Sequence, residues 1–277
     1  MEITVQEPLR VSIVTPSYQQ GRFLRQCIDS VLSQNYPHIE YFVFDGGSTD
    51  CSREILESYN GRFFWRSEPD GGQAAAINCG LRLSQGTILA YLNSDDMLLP
   101  GAVSSVVAEW ERRPDVDVYF GRAHYINEMD EIIGEYDTRE FDLEAFKEQC
   151  FICQPAAFWH RRVIDRIGLL DESYHTSMDY EFWQRLAARQ GLFVRLDTFL
   201  ACSRDHASTK TRLQRSQLFK ENFRSQWKYW GYISPQWWRG FIDHLKSERR
   251  VFWRPLIPSW KKSGPLSRFL SKHVRKR

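Results

Sequence analysis

Within its first hundred residues the chain alternates short apolar runs with segments of helical period, and this alternation constrains the fold more than any other feature. Val11 to Thr15, Tyr41 to Asp45, Phe63 to Arg66 and Ile88 to Leu92 read as buried strands. Between the first two, Phe23 to Ser33 carries apolar residues at Phe23, Leu24, Cys27, Ile28, Val31 and Leu32, the spacing of a helix lying on a sheet. Asp50 to Tyr59, with Asp50 as a plausible N-cap, and Gln73 to Leu83 supply two further helices. The βαβαβαβ order predicts an α/β, Rossmann-like, mostly parallel sheet with right-handed crossovers.

After Asp96 the rhythm changes. A helix over Gly101 to Arg112 and a strand over Val116 to Phe120 precede a hairpin at 123–136 that turns at Glu128-Met129-Asp130-Glu131. Ala156 to Trp159, Leu192 to Leu196 and Leu200 to Ser203 read as short strands, and Arg162 to Ile167 and Tyr180 to Gln190 as helices. This part predicts a smaller mixed sheet. From Leu213 onward the pattern is helical and rich in Trp, Tyr and Phe.

The chain has 277 residues, enough for one large domain or two unequal halves. No run of 18 apolar residues exists, and the acidic N-terminal stretch does not read as a secretory signal, so a cytoplasmic protein is expected. Six dispersed cysteines argue against a disulfide framework, and Cys150-Phe-Ile-Cys153 lacks the second pair that a metal site would need. Arg239 to Arg277 holds twelve Lys/Arg against two Asp/Glu, so the tail is near +10 and the rest near −8.

Ligands of open parallel sheets bind beyond the carboxyl ends of the strands. Here those ends read Pro16-Ser17-Tyr18-Gln19, Asp45-Gly46-Gly47-Ser48-Thr49-Asp50, Glu68-Pro69-Asp70-Gly71-Gly72 and Asn93-Ser94-Asp95-Asp96. Each alone could be a turn or a cap. Together they put acid at three successive strand ends, which a purely structural sheet does not need. Asp45 can only accept hydrogen bonds, so it suits the ring N–H of uracil, thymine or guanine, with Tyr18 placed to stack on the base. Asp95 and Asp96 repel each other unless a hard cation, completed by diphosphate oxygens, lies against them. No G-x-x-x-x-G-K-S/T motif occurs, which excludes a P-loop enzyme.

V-S-I-V-T-P-S-Y, D-G-G-S-T-D, E-P-D-G-G-Q-A-A-A-I-N-C-G, L-N-S-D-D, Q-P-A-A-F-W and S-M-D-Y-E-F-W together resemble the family 2 glycosyltransferases of GT-A fold, over roughly residues 10–210. The resemblance implies a nucleotide-binding half at about 10–100, an acceptor half at 101–212 and a helical, basic-aromatic extension at 213–277. It implies that Asp45 contacts the base, Asp95 the ribose and Asp96 a divalent cation, Mn2+ or Mg2+. Pro16, Tyr18, Asp70, Asn78 and Arg204 join Asp45 and Asp95 in the expected nucleotide set. In the element R-x-H-x-x-S, His206 would add a nitrogen to the metal, and Arg204 or Lys210 would pair phosphate charge. Gln154 and Trp183 are expected on the acceptor side, although Trp159 and Trp183 also fit a core. Two positions depart from the family pattern: Gly46 stands where a second acid is common, and Asn93 opens the D-x-D element, so the metal role leans on Asp96.

Asp179 is the expected catalytic base. At the start of a helix whose apolar face is Phe182, Trp183 and Leu186, it would point into the pocket, while Glu181 lies about 200° around the helix. One base with in-line attack on the sugar carbon inverts its configuration. The expected partners are a nucleotide-sugar donor, UDP first among UDP, dTDP and GDP, and a glycan or lipid-linked acceptor of a polysaccharide or glycolipid pathway. Trp227, Trp230, Trp237, Trp238, Phe252, Trp253 and Trp260 alternate with Lys and Arg in the tail, a composition suited to peripheral contact with an anionic membrane. Core extension and dimer contact are the competing readings, and no nucleic-acid-binding motif accompanies the tail. A nucleotidyltransferase would need a Gly-rich basic loop after the first strand, where P-S-Y-Q-Q-G-R-F offers only Arg22. A non-catalytic nucleotide-sugar binder would have no use for Asp45, Asp96 and Asp179 together.

Overall fold

The computed structural model describes residues 8–253. The N-terminal stretch read above and the tail from residue 254, including Trp260, lie outside the described residues. In chain order the elements are β1 (Val11–Ser17), α1 (Gly21–Leu32), β2 (Ile39–Asp45), α2 (Ser52–Glu57), β3 (Phe64–Ser67), α3 (Gln73–Leu83), β4 (Ile88–Tyr91), β5 (Met97–Leu98) and α4 (Ala102–Arg112). Then come β6 (Val118–Ile126), β7 (Ile132–Glu135), α5 (Leu143–Glu148), a 3-10 turn (Gln154–Ala156), β8 (Ala157–His160), α6 (Arg162–Ile167), α7 (Met178–Ala187), β9 (Phe193–Arg204), α8 (Lys210–Leu213), α9 (Arg215–Trp230) and α10 (Pro235–Trp253).

One nine-stranded sheet runs β3-β2-β1-β4-β8-β6-β9-β5, with β7 on β6. β1, β2, β3 and β4 pair in parallel, as the alternation predicts. β8 is antiparallel to both β4 and β6 and joins this half to a mixed one without a break. The result is an α/β GT-A architecture, with the expected smaller mixed sheet fused into the larger.

β1 is buried along its whole length because α1 and α3 cover its two faces. α1 turns Phe23, Leu24, Cys27, Ile28 and Val31 inward, each apolar side chain worth about 1.5–3 kcal/mol when fully buried. α3 approaches so closely that a Cβ on Gly80 would lie 2.5 Å from Val14, so glycine is required there. All six cysteines are free thiols.

Several boundaries differ from expectation. β6 continues from Val118 to Ile126, so the predicted hairpin is its extension paired with β7. Leu192 to Leu196 and Leu200 to Ser203 are not two strands but the single β9, which keeps its pairing with β6 through register shifts near Arg122. Asp50 stands one residue before the N-cap, where its carboxylate accepts the N–H groups of Gly21 at 2.9 Å and Ser52 at 3.0 Å and so ties α1 to α2.

Candidate active site

β1 and β4 lie mid-sheet, and beyond their carboxyl ends opens a cavity of about 960 Å3. Pro16 near the end of β1 and Tyr18 just after it, Asp70 and Gln73 before and at the start of α3, and Asn93 to Asp96 after β4 line one side. Gln154, His175, Thr176, Met178 and Asp179, and residues from the end of β9 at Ser203 to Arg212 in α8 line the other.

Asp96 is the most constrained acid. It is buried, and its Oδ1 accepts the backbone N–H of Arg204 at 2.9 Å while its Oδ2 accepts Asn93 Nδ2 at 3.2 Å. Burial first, and the adjacent Asp95 carboxylate second, push its pKa well above the usual range despite those bonds. Asn93 also donates to Gln154 Oε1 at 3.2 Å and accepts from Gln73 Nε2 at 2.6 Å. Gln73 Oε1 in turn accepts Lys210 Nζ at 2.5 Å. A hydrogen-bonded chain therefore links Lys210 to Asp96.

Asp95 Oδ2 lies 3.0 Å from His206 Nε2. His206 Nδ1 faces Arg22 Nη2 at 3.1 Å, and arginine only donates, so the ring proton sits on Nε2 and points at Asp95. His206 is buried behind the loop and packs its ring 5.1 Å from Phe23. In this arrangement both its nitrogens are engaged within the protein.

Asp45 ends β2 just behind the cavity lining. It accepts Ser48 Oγ at 2.5 Å on Oδ1, and Ser48 N–H at 2.9 Å and Ser67 Oγ at 2.7 Å on Oδ2. One lone-pair site on Oδ1 remains. Gly46 separates Tyr18 from Asp70, and a Cβ there would come within 3.3 Å of both. The departure from an acid at this position thus keeps the space between ring and carboxylate open. Asp70 Oδ1 accepts the N–H of Gly72 at 2.7 Å and shapes the turn into α3. Tyr18, 63% exposed, stands at the mouth.

Asp179 lies in the first turn of α7, part-exposed to the cavity, and burial raises its pKa above that of an ordinary aspartate. Glu181 faces the other way, fully buried, bonded to Arg185 at 2.9 Å and to the Tyr229 hydroxyl. Lys210 presents an exposed ammonium to the cavity, its pKa lowered by desolvation against the pull of Glu221, Asp95 and Asp70. Gln154 anchors its own turn by donating to the Tyr91 carbonyl at 2.7 Å.

Three expectations need correction. Asn78 does not reach the cavity: its buried amide donates to the Leu170 carbonyl at 2.9 Å and Glu172 at 2.8 Å and accepts Leu170 N–H at 3.0 Å, fixing the approach to α7. Trp183 is wholly buried against Trp159, Phe182 and Phe193 and belongs to the core, where truncation to alanine costs about 3–5 kcal/mol. Arg204 spends its buried guanidinium on the carbonyls of Asp95 at 2.8 Å and Asn127 at 2.6 Å and on Asp130 at 2.6 Å. It braces the acidic loop from the cavity's edge, while Lys210 and Arg212, the latter paired with Asp205 at 2.5 Å, also line the cavity. Sequence reading missed Gln73 as the bridge between Lys210 and Asn93; its place at the first turn of α3 was the only available signal.

Comparison with known proteins agrees with this fold. The model of Glycosyl transferase family 2 matches residues 12–168. An uncharacterized glycosyltransferase of Rickettsia prowazekii is 27% identical over 91% of this chain and 77% of its own length. The chondroitin synthase of Pasteurella multocida is 26% identical over 64% of this chain but only 19% of that protein. Among solved structures, S. aureus TarS 1-349 in complex with UDP-GlcNAc aligns with a TM-score of 0.64 at 15% identity, covering 78% of this chain and 66% of that one. The Pyrobaculum calidifontis mannosyltransferase in complex with GDP-Man and Mn2+ aligns with a TM-score of 0.60 at 16% identity, covering 79% and 65%.

Proposed function

The chain belongs to Glycosyl transferase family 2, and from that premise we propose that it transfers one sugar from a nucleotide-diphosphate sugar, UDP-linked first, to an acceptor hydroxyl with inversion at the sugar carbon. The single observation that carries the reading is that Asp95, Asp96, Lys210 and Asp179 line one cavity beyond the carboxyl ends of β1 and β4. The UDP-GlcNAc and GDP-Man complexes of similarly folded proteins favour a nucleotide-sugar donor. The reading keeps a nucleotide-binding half at about 10–100, an acceptor half at 101–212 and an extension at 213–277.

In this reading Asp45 takes the base N–H on its remaining lone pair, Tyr18 stacks on the base, and Asp95 meets the ribose. Pro16 and Asp70 border the nucleotide, and Lys210 meets the diphosphate. Gln154 faces the acceptor. Asp179 removes the proton from the acceptor hydroxyl as its oxygen attacks the anomeric carbon. The bond to the diphosphate oxygen breaks on the opposite face, so configuration inverts and the nucleoside diphosphate leaves.

Among the described residues no group of three His, Cys, Asp or Glu side chains is preassembled around a metal. The crowded Asp95–Asp96 pair nevertheless suits Mn2+ or Mg2+, whose coordination phosphate oxygens commonly complete. The residues that would hold the cation are Asp96 and, with its ring proton shifted from Nε2 to Nδ1, His206. Bound there, it would neutralise charge on the leaving diphosphate.

No described helix is long and apolar enough to cross a membrane. We place the exposed face of α9 and α10 against an anionic bilayer surface, where a lipid-linked acceptor would be found. Trp227 is 66% and Trp238 45% exposed, and Ile242 and Leu245 continue the stripe one and two turns beyond Trp238. Lys220, Arg239 and Lys246 lie on the same two helices, and the sequence beyond residue 253 carries Lys and Arg but no Asp or Glu.

Thermal shift with UDP-, dTDP-, GDP- and ADP-sugars, with and without Mn2+, tests the donor. Stabilisation by ADP-sugars alone would sink the reading. NMR of the product's anomeric configuration tests inversion, and retention would sink it.

A further inference from the structure

The segment from His175 to Asp179 forms a cavity wall without belonging to the sheet. What holds it is a carboxylate from outside the motifs. Glu221, buried on α9, accepts the backbone N–H of His175 at 2.9 Å on Oε1, and those of Thr176 at 2.9 Å and Ser177 at 3.0 Å on Oε2. Thr176 Oγ1 adds a fourth bond at 2.8 Å, and Gln217 Nε2, one turn before Glu221, a fifth at 2.9 Å. Ser177, the N-cap of α7, makes no side-chain cap of its own. The Glu221 side chain thus holds the three residues that lead into α7, its N-cap Ser177 included, and its charge complements the positive end of that helix.

We propose that Glu221 is a positioning residue for the transfer reaction: it clamps His175 to Ser177 from behind and sets both the place and the electrostatic surroundings of Asp179. The proposal rests on Asp179 being the base. Its physical basis is threefold. Three consecutive N–H groups converge on one carboxylate, so the wall cannot shift without breaking several charge-assisted bonds. Asp179 follows the clamped run by two residues, inside the same helix turn. Glu221 also acts on Asp179 as a like charge, and burial raises the Asp179 pKa in the same direction.

The other groups facing Asp179 are Tyr91 from β4, Tyr136 after β7, and Cys150 and Cys153 before β8. Burial pushes the ionisation of all four upward, so they stay neutral at ordinary pH. On α7 itself Glu221 has no rival, because Glu181 is turned away and paired with Arg185. Lys210 is the cation that feels Glu221, and its Nζ lies 3.5 Å from the His175 carbonyl. Glu221 itself is desolvated, yet bonds from His175, Gln217 and Thr176 outweigh that and hold its pKa below the usual range, so the clamp is charged wherever the enzyme works.

The test measures UDP release from UDP-GlcNAc with Mn2+ across pH for the full chain and for Glu221→Gln, Glu221→Asp and Asp179→Asn, with thermal midpoints alongside. Misplacing a catalytic group by about 1 Å can cost ~100-fold in rate. Glu221→Gln is expected to lower kcat about 10- to 100-fold with little change in donor KM, and to move the acid limb to lower pH, because the like charge is gone. Glu221→Asp keeps the charge but shortens the clamp, so kcat falls and the acid limb stays. An unchanged kcat and acid limb in folded Glu221→Gln overturns the proposal. If that variant does not fold, unchanged kcat in Glu221→Asp overturns it. An acid limb that persists in Asp179→Asn removes Asp179 as base and is a separate failure.

Discussion

The backbone N–H of Arg204 donates to Asp96 Oδ1 at 2.9 Å, joining the last residue of β9 to the loop after β4. The buried acid therefore owes its orientation to a strand 108 residues later in the chain. The same residue's guanidinium grips the Asp95 carbonyl, so the acidic loop is held from both of its faces. The end of β9 is thus the brace of the acidic loop.

Asp96→Ala is expected to lower activity by about 100-fold or more, since Lewis-acid stabilisation of a leaving diphosphate is worth several kcal/mol. It should also abolish the gain in UDP affinity that Mn2+ gives the parent protein. Calorimetry with and without Mn2+ checks this, and equal metal-dependent gains in parent and variant would contradict it.

Asp45→Ala should weaken UDP binding about 10- to 100-fold, the worth of one hydrogen bond to a charged group at ~1.5–3 kcal/mol. Ser48 and Ser67 also lose their acceptor, so some thermal stability goes with it. Normal UDP affinity in the variant would leave Asp45 as a turn residue.

Asp179→Asn should leave donor binding intact and cut turnover by ~10²–10⁴. A base works only when deprotonated, and burial raises the Asp179 pKa. The parent enzyme should therefore lose activity on acidification at a pH above the ordinary aspartate value of about 3.9, and the acid limb should vanish in the variant. Near-parental turnover in Asp179→Asn would count against the assignment.

Trp227→Ser with Trp238→Ser should reduce co-sedimentation with phosphatidylserine-containing vesicles and leave UDP binding unchanged. Each nearby Lys or Arg contributes ~1 kcal/mol at such a surface, and salt screens it, so the parent should release between low and high ionic strength. Equal pelleting of parent and variant at every salt concentration would argue that this face packs against protein instead.

The parallel half of the fold was legible because its signal is local. β1, β2 and β4 are short, apolar-rich runs, β2 ending in Asp45 and β4 followed by Asp95 and Asp96, and Gln73–Leu83 matches its predicted helix at both ends. Asp95, Asp96, Asp179 and Gln154 could be placed on the cavity because each sits at the end of a strand or the start of a helix. Asn78 and Trp183 could not be told from site residues, because a motif records that a side chain matters and not which way it faces. Arg204 misled for a related reason. A guanidinium beside a diphosphate site looks like a phosphate ligand until its partners, Asn127 and Asp130 on the β6–β7 turn, are known. β5, two residues long, and the clamp from Glu221 carry no periodic signal at all, since both exist only through pairing with distant chain.

β9 enters the sheet between β6 and β5, and its last residue is the one that meets Asp96. As the chain emerges from the ribosome, β1 to β4 can pair as soon as residue 91 is free, and N-terminal units generally fold first. Asp96 finds one partner, Asn93, within its own loop, but the second, the N–H of Arg204, comes from chain made more than a hundred residues later. A truncation before residue 204 would therefore spare the parallel strands' own sequence and still leave this acid with half its hydrogen bonds.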